Sequence, residues 1–211
     1  MKHIDTSFLL KPEPEKPGEK FNGQGWGYLN PDILEISDMW NDIGMISNIS
    51  TILEVGMFAG HSTVCLLEHF PKAKVISLDP GPFSRKSHVP VKDRYGDRFI
   101  FIPNTLQNTN IKETIDLMFI DGDHSFEAVD KDIRNAFQLK PRYILFDNVE
   151  LPGVRRAIKE SKLFSSYLKP KYWFYVNNHK GETCPGILML LHMENQYEEV
   201  TSYNGNKQPI L

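Results

Sequence analysis

Oxygen-bearing side chains follow two apolar runs of the chain at the points where those runs end. Asp121 ends one run. Asp147 ends the other run, and Asn148 follows directly after it. If both runs are neighbouring strands of a parallel sheet, their ends lie about 5 Å apart. Carboxylate and amide oxygens are the ligands that Mg²⁺ prefers, so the three residues could share one hard cation. The alternative is that each acid caps a turn.

A glycine turn is the second feature suited to chemistry. It lies in Thr51–Thr63, where an apolar run passes through Gly56 and Gly60 into a helical pattern. Gly56 can adopt a positive φ and lets a ligand approach the backbone, and Gly60 keeps the first exposed helix N–H groups accessible. The dinucleotide fingerprint G-x-G-x-x-G does not fit this spacing. Asp79 ends the next apolar run, where an acid either holds ribose hydroxyls or caps a turn or helix.

Hydrophobic periodicity predicts the elements that position these residues. Strands are predicted at 51–56, 74–79, 98–103, 115–121, 142–147, 172–176 and 186–193, and helices at 31–46, 61–70, 125–139 and 152–164. The first five strands are expected to be parallel, and Asn177–Gly181 indicates a hairpin between the last two. Residues 83–97 are predicted to form a loop and loose helix with a solvated basic face. Asp132 is placed on the polar side of the 125–139 helix.

Length and composition bound the class of protein. The 211 residues, 40% hydrophobic and 24% charged, predict one domain over 29–211 after an arm and aromatic loop at 1–28. That loop, with Trp26 and Tyr28, either folds over a flat ligand or anchors the arm to the core. A net charge of −3 argues against nucleic-acid and membrane-surface binding. The sequence shows no signal peptide or membrane span, and Cys65 and Cys184 lack metal-ligand spacing, which together indicate a cytoplasmic protein.

Two motifs carry a resemblance to a known family. They are E-V-G-M-F-A-G-H-S-T at 54–63 and I-D-G-D-H-S-F-E at 120–127, accompanied by Asp79, Asp147-Asn148 and Pro152-Gly153-Val154. Together they resemble the class I S-adenosylmethionine (SAM)-dependent methyltransferases, in particular the cation-dependent O-methyltransferases and their sugar-modifying relatives, over about residues 50–195. The resemblance implies an α/β fold with a Rossmann-like, doubly wound sheet of seven strands. Its order would be 3-2-1-4-5-7-6, mostly parallel with strand seven reversed, and helices would cover both faces.

The resemblance also implies roles for single residues. The expected SAM-binding residues are Glu54, Gly56, Phe58, Gly60, Ser62 and Asp79, with Asp79 on the ribose. The expected ligands of a divalent cation, Mg²⁺ being the expected ion, are Asp121, Asp147 and Asn148. The expected catalytic residues are Asp121 and His124.

Two positions depart from the family pattern. His124 stands where catechol-type members place a catalytic lysine, and Phe146 stands where many relatives have a histidine before the aspartate. An imidazole is a sound base near neutral pH. His124 could instead cap the following helix or brace Asp121.

The expected activity is therefore cation-assisted O-methylation of a small hydroxylated substrate. One alternative is a methyltransferase that acts by proximity without a metal, and another is a SAM-binding regulatory module without turnover. A nicotinamide oxidoreductase is disfavoured by the missing fingerprint. The N-terminal arm could pack on a neighbouring subunit and so form a homo-oligomer.

Overall fold

The structure of the chain is a computed structural model that describes residues 4–10, 40–161, 163, 170–179 and 182–192, with the backbone alone for 173–179 and 182–188. The aromatic loop around Trp26 and Tyr28 and the tail after 195 lie outside the described residues. Of the helix predicted at 31–46, residues 40–46 are described; 40–44 are helical, and the helix ends two residues before its predicted bound.

The strands form one seven-stranded sheet. Their bounds are β1 Thr51–Val55, β2 Lys74–Leu78, β3 Phe99–Ile102, β4 Leu117–Ile120, β5 Tyr143–Phe146, β6 Lys171–His179 and β7 Glu182–His192. The order is β3-β2-β1-β4-β5-β7-β6. Strands β1 to β5 pair in parallel, whereas β7 pairs antiparallel with both β5 and β6. The predicted sheet and its strand order are confirmed.

Helices cover both faces of the sheet. They are α1 His61–His69, α2 Ser84–Tyr95, α3 Phe126–Leu139 and α4 Pro152–Glu160, with short 3₁₀ turns at Gly96–Arg98 and Leu106–Asn108. Successive strand residues point to opposite faces, so Ile52 packs in the core with α1 and α2 while Leu53 packs in the core with α3 and α4. Among the described helices, none is both long and apolar enough to cross a membrane.

Some elements end away from their predicted bounds for local reasons. Residues 84–95 form a regular helix despite Pro90, because Ser84, Ser87 and Val91 are buried against the rest of the fold. Strand β4 begins at Leu117, since the Asp116 carboxylate just before it accepts the backbone N–H groups of Ser50 and Thr51 at 2.8 and 2.9 Å. Strand β6 extends to His179, so most of the expected hairpin loop belongs to the ladder.

The end of α4 also differs from the prediction. The helix stops at Glu160, four residues early, because Ser161 adopts an extended conformation while its N–H still bonds to the carbonyl of Ala157.

Residues 4–10, within the predicted N-terminal arm, pack against the domain. Leu9 is buried in the core that contains Met57 and Val91. Asp5 accepts from Nη1 of Arg94 at 3.1 Å, and that guanidinium lies 4.5 Å from the centre of the Phe8 ring. The segment therefore lies directly behind the glycine turn of the chain.

Candidate functional site

A cavity of about 990 Å³ lies outside the carboxyl ends of the parallel strands. It is lined by the turn after β1, the end of β2, the loop after β3, the loop between β4 and α3, and the end of β5. This is the edge at which open α/β sheets bind their ligands, and the volume suits a small organic molecule. The cavity joins the glycine turn to the acidic strand ends in one space.

The glycine turn is held in a conformation that requires glycine. Gly56 has a φ of 95°, and a Cβ added there would lie 2.1 Å from the carbonyl oxygen of Asp121. Close packing of the turn on the β4 end therefore depends on the missing side chain. Gly60, with a φ of 87°, forms the N-cap of α1 but is not among the residues that line the cavity. Phe58 has a φ of 45°, lines the cavity and packs on Phe83 at 5.2 Å between ring centres.

Glu54 lies beneath this turn and does not line the cavity. Its fully buried carboxylate accepts hydroxyl hydrogen bonds from Ser62 at 2.7 Å, from Thr63 at 2.6 Å and from Ser77. Burial raises the pKa of Glu54 to about 7. The side chain joins β1, the start of α1 and β2, so it supports the turn from behind. Ser62 contributes to both places, since it also lines the cavity.

Asp79 connects the end of β2 to the glycine turn. Its Oδ2 accepts the backbone N–H groups of Met57 and Phe58 at 3.0 and 2.7 Å, and its Oδ1 accepts the N–H of Gly81 at 2.7 Å. The carboxylate lines the cavity where a ribose is expected. It thus serves as a cap for the turn, which was one of the two sequence interpretations. Binding of a ribose by this carboxylate stays a prediction.

Asp121 and His124 meet on the other side of the cavity. Nε2 of His124 lies 3.6 Å from Oδ1 of Asp121, and both residues line the cavity. The neighbouring Asp121 raises the pKa of His124 above its ordinary value, and burial raises the pKa of Asp121. Capping of α3, which was one alternative for His124, is instead done by Ser125, whose Oγ accepts the N–H of Ala128 at 3.3 Å. His124 is therefore free of the capping role and is paired with Asp121.

Asp147 and Asn148 line the same cavity from the end of β5. The Asp147 side chain is buried, and its Oδ1 accepts the N–H of Asn148 at 2.7 Å. Asn148 has a φ of 51°, and its Nδ2 donates to Oε1 of Glu150 at 3.2 Å. This bond fixes the amide so that its carbonyl oxygen is the group left to accept or to ligate.

The three expected cation ligands are thus oxygen donors around one cavity, which is the chemistry a hard divalent cation requires. Within the described part of the chain, no three His, Cys, Asp or Glu side chains are grouped so as to hold a metal ion. The expected ligand set, Asp121, Asp147 and Asn148, contains only two side chains of those types and would not form a group of three. The donor chemistry fits a cation, and cation binding stays a prediction.

Two residues near the site lie in the family motifs but were given no role of their own from the sequence. His61 lies at the start of α1 and lines the cavity, and burial lowers its pKa to about 4, so the ring is neutral. Gly153 allows α4 to approach the His124 loop, because a Cβ there would lie 2.3 Å from the His124 carbonyl oxygen. From the sequence it was noted only as part of the Pro152-Gly153-Val154 motif at a helix start.

The placement of Asp132 on the polar side of its helix was wrong. Asp132 is 5% exposed and shares the buried stripe of α3 with Val129, Ile133 and Ala136. Its Oδ1 accepts from Nε2 of Gln107 at 2.8 Å, and both residues line the cavity. The signal in the sequence was its spacing, because Asp132 lies three residues after Val129 and directly before Ile133.

The sheet order, the glycine turn and the cavity at the strand ends define a Rossmann-like α/β fold with a cavity at its switch point, where such folds bind their ligands. Residues 53–149 match the model of a family described as a methyltransferase domain. The chain therefore carries a methyltransferase domain over those residues, and its fold resembles that of SAM-dependent O-methyltransferases. No curated protein sequence matches the chain.

Solved structures share the fold at low sequence identity. An O-methyltransferase from Bacillus cereus in complex with S-adenosylhomocysteine superposes with a TM-score of 0.55 at 18% identity, covering 79% of this chain and 83% of its own. The O-methyltransferase TomG from Streptomyces achromogenes, in complex with SAM, gives 0.51 at 14%, covering 75% and 78%. A protein from Pyrococcus horikoshii proposed to be an RNA methyltransferase gives 0.56 at 14%, covering 74% and 83%. The shared fold thus spans relatives with different acceptors.

Proposed function

We propose that this methyltransferase transfers the methyl group of SAM to a hydroxyl oxygen of a small molecule, with a divalent cation bound at Asp121, Asp147 and Asn148. The observation that supports this most strongly is the single cavity that runs from the glycine turn to those three residues. A donor bound along the turn and an acceptor bound at the acidic strand ends would then meet in one space.

The donor side of the cavity is built from backbone and from Asp79. The turn from Gly56 to Gly60 offers main-chain groups to the methionine part of SAM, and Asp79 takes the ribose hydroxyls. Asp79 already accepts two turn N–H groups through Oδ2. A ribose would therefore bind to a carboxylate whose orientation is fixed before the ligand arrives, which lowers the entropic cost of binding.

The acceptor side must supply an oxygen nucleophile. Methyl transfer from a sulfonium is aided mainly by holding the nucleophile in line and close to the methyl carbon. A bound cation would lower the pKa of the acceptor hydroxyl. His124 would remove the hydroxyl proton, and Asp121, whose Oδ1 lies 3.6 Å from Nε2, would stabilise the imidazolium that results.

The charge of the cavity favours a neutral or cationic acceptor over a nucleic acid. Six carboxylates line it, and Lys131 is the only lysine or arginine among its described lining residues. The carboxylates are Asp79, Asp121, Asp123, Glu127, Asp132 and Asp147. Nucleic-acid binding relies on several lysine and arginine contacts to phosphate, and the described lining of this cavity offers one lysine. A polyhydroxylated or phenolic small molecule is the acceptor class we propose, in the cytoplasm.

Methyl transfer can be measured with SAM carrying a labelled methyl group and a panel of small hydroxylated acceptors. We expect turnover that is lost on addition of EDTA, restored by excess Mg²⁺, and reduced at least 100-fold in Asp147→Ala. Asp130→Asn, a carboxylate change on the outer side of α3, is the matched control and should retain activity. Turnover indifferent to both EDTA and Asp147→Ala would contradict the cation role and favour transfer by proximity. SAM binding without turnover on any acceptor would favour a regulatory module.

A further inference from the structure

The loop after β5 fixes the backbone of the amide that is expected to ligate the cation. Asn148 has a φ of 51°, its N–H donates to Oδ1 of Asp147 at 2.7 Å, and its carbonyl accepts the N–H of Leu151 at 2.9 Å. Asparagine tolerates this left-handed backbone region better than most residues do. Because the backbone is held on both sides, the freedom that remains is the direction in which the side-chain amide points.

The Glu150 carboxylate selects one of the two orientations of that amide. Its Oε1 accepts a hydrogen bond from Nδ2 of Asn148 at 3.2 Å. A carboxylate can only accept hydrogen bonds, so the NH₂ end of the amide faces it and the carbonyl end does not. Within the described part of the chain, Oδ1 of Asn148 accepts no hydrogen bond, and the residue lines the cavity. Oδ1 is therefore the amide atom that is left for a ligand in the cavity.

Glu150 does not line the cavity, and its own backbone is anchored to α4. Nη2 of Arg155, on that helix, donates to the Glu150 carbonyl oxygen at 3.0 Å. Leu151 and Pro152, the next two residues, are the N-cap and the first residue of α4. The carboxylate is thus held beside a cavity residue without being part of the cavity wall, so its hydrogen bond acts on the cavity through Asn148.

We infer that Glu150 is a positioning residue for the divalent cation, because it turns the Asn148 amide so that Oδ1 is the atom offered to the ion. With the amide reversed, the NH₂ group would face the cation and be repelled by it. The inference rests on the cation of the proposed function and adds to it a residue that acts behind one ligand. Removing such a partner of a metal ligand typically weakens metal affinity by about 10- to 100-fold.

The test is titration of the protein with Mn²⁺ in the presence of S-adenosylhomocysteine, with free Mn²⁺ followed by electron paramagnetic resonance. Glu150→Ala, and Glu150→Leu, which keeps more of the side-chain volume, should each bind Mn²⁺ about 10-fold more weakly than the wild-type protein. Glu150→Gln should stay within about 3-fold of the wild type, because its amide oxygen can still accept from Asn148. Glu160→Ala removes an exposed carboxylate from α4 and is the matched control, which should bind Mn²⁺ as the wild type does.

A double-mutant cycle separates positioning from a direct effect of the Glu150 charge. In Asn148→Asp the new carboxylate presents an oxygen in either orientation, so there is no orientation left for Glu150 to select. Adding Glu150→Ala to Asn148→Asp should therefore change Mn²⁺ affinity by less than about 3-fold. If Glu150 attracted the cation by its charge or ligated it directly, the same loss of about 10-fold would appear in both backgrounds.

Two results would overturn the inference while leaving the cation in place. One is Mn²⁺ affinity within about 2-fold of the wild type in folded Glu150→Ala or Glu150→Leu, with folding checked by circular dichroism and melting curves. The other is an equal loss in the Asn148 and Asn148→Asp backgrounds, or an equal loss in Glu150→Gln and Glu150→Ala. If the wild-type protein itself binds no Mn²⁺, the cation of the proposed function is contradicted, and the inference falls with it. That outcome is recognised without any variant.

Discussion

Replacing Gly56 by alanine should damage the fold and the cofactor site together. The residue has a φ of 95°, and the new Cβ would lie 2.1 Å from the Asp121 carbonyl oxygen and 2.7 Å from Cα of Gly122. All of these neighbours are backbone, so no side chain can rotate away. A positive φ costs an L-residue about 1–2 kcal/mol.

Relief of the clash adds to that cost. The turn and the β4 end are joined by the Asp121 N–H to the Val55 carbonyl and by the Gly56 N–H to the Leu78 carbonyl, each at 2.9 Å. Moving the turn away weakens both bonds, at about 1 kcal/mol each. The expected loss of unfolding free energy is therefore roughly 3–4 kcal/mol, a large share of the 5–15 kcal/mol typical of a domain.

Chemical denaturation and calorimetry with S-adenosylhomocysteine measure the two effects. Gly96→Ala is the matched control, because Gly96 also has a positive φ, of 57°, but an added Cβ would meet nothing within 4 Å. It should lose about 1–2 kcal/mol of stability and keep its ligand affinity. Gly56→Ala should lose more stability and bind at least 10-fold more weakly. Equal stability and equal affinity in the two variants would refute the reasoning.

Three further substitutions probe the supports of the site. Burial raises the pKa of Glu54 to about 7, so the native state binds a proton more tightly than the unfolded chain, and the free energy of unfolding falls by about 3 kcal/mol as pH rises from about 4.5 to 7. Glu54→Gln should remove this pH dependence from denaturation curves measured at pH 5 and pH 8. An unchanged pH dependence in the variant would count against the assignment. Leu9→Ala should lower the free energy of unfolding by about 2 kcal/mol and weaken S-adenosylhomocysteine binding, because Leu9 packs behind Gly60. Normal affinity in this variant would show that residues 4–10 only stabilise the fold. Gly153→Ala should lower kcat more than ligand affinity, since its Cβ would displace the His124 backbone and leave the glycine turn after β1 in place. An equal loss of kcat and of affinity would show that the displacement reaches the glycine turn.

The sheet could be predicted because its strands are short and apolar on both faces. Runs such as Leu117–Ile120 are buried throughout, and β1, β2, β4 and β5 are each followed by a glycine or an acid. The strand order came from resemblance, since periodicity alone does not specify which strands are neighbours. Element ends were less predictable, because the start of β4 depends on Asp116 bonding to Ser50 and Thr51, which are distant in sequence.

The site was predictable where residues follow a strand and less so where they lie on a helix. Asp79, Asp121 and Asp147 follow β2, β4 and β5, and all three line the cavity. Asp132 was assigned to solvent, because a charged residue beside Lys131 and Arg134 is usually exposed. Its burial depends on the loop carrying Gln107, a contact that no local pattern in the sequence reveals.

A crystal structure of the protein grown with S-adenosylhomocysteine and Mn²⁺ tests the central claim most directly. The account predicts the ligand along the glycine turn with its ribose hydroxyls on Asp79. It also predicts an anomalous manganese peak coordinated by Asp121, Asp147 and Asn148. Ligand density away from the turn, or a turn-bound ligand without a manganese peak between Asp121 and Asp147, would contradict it.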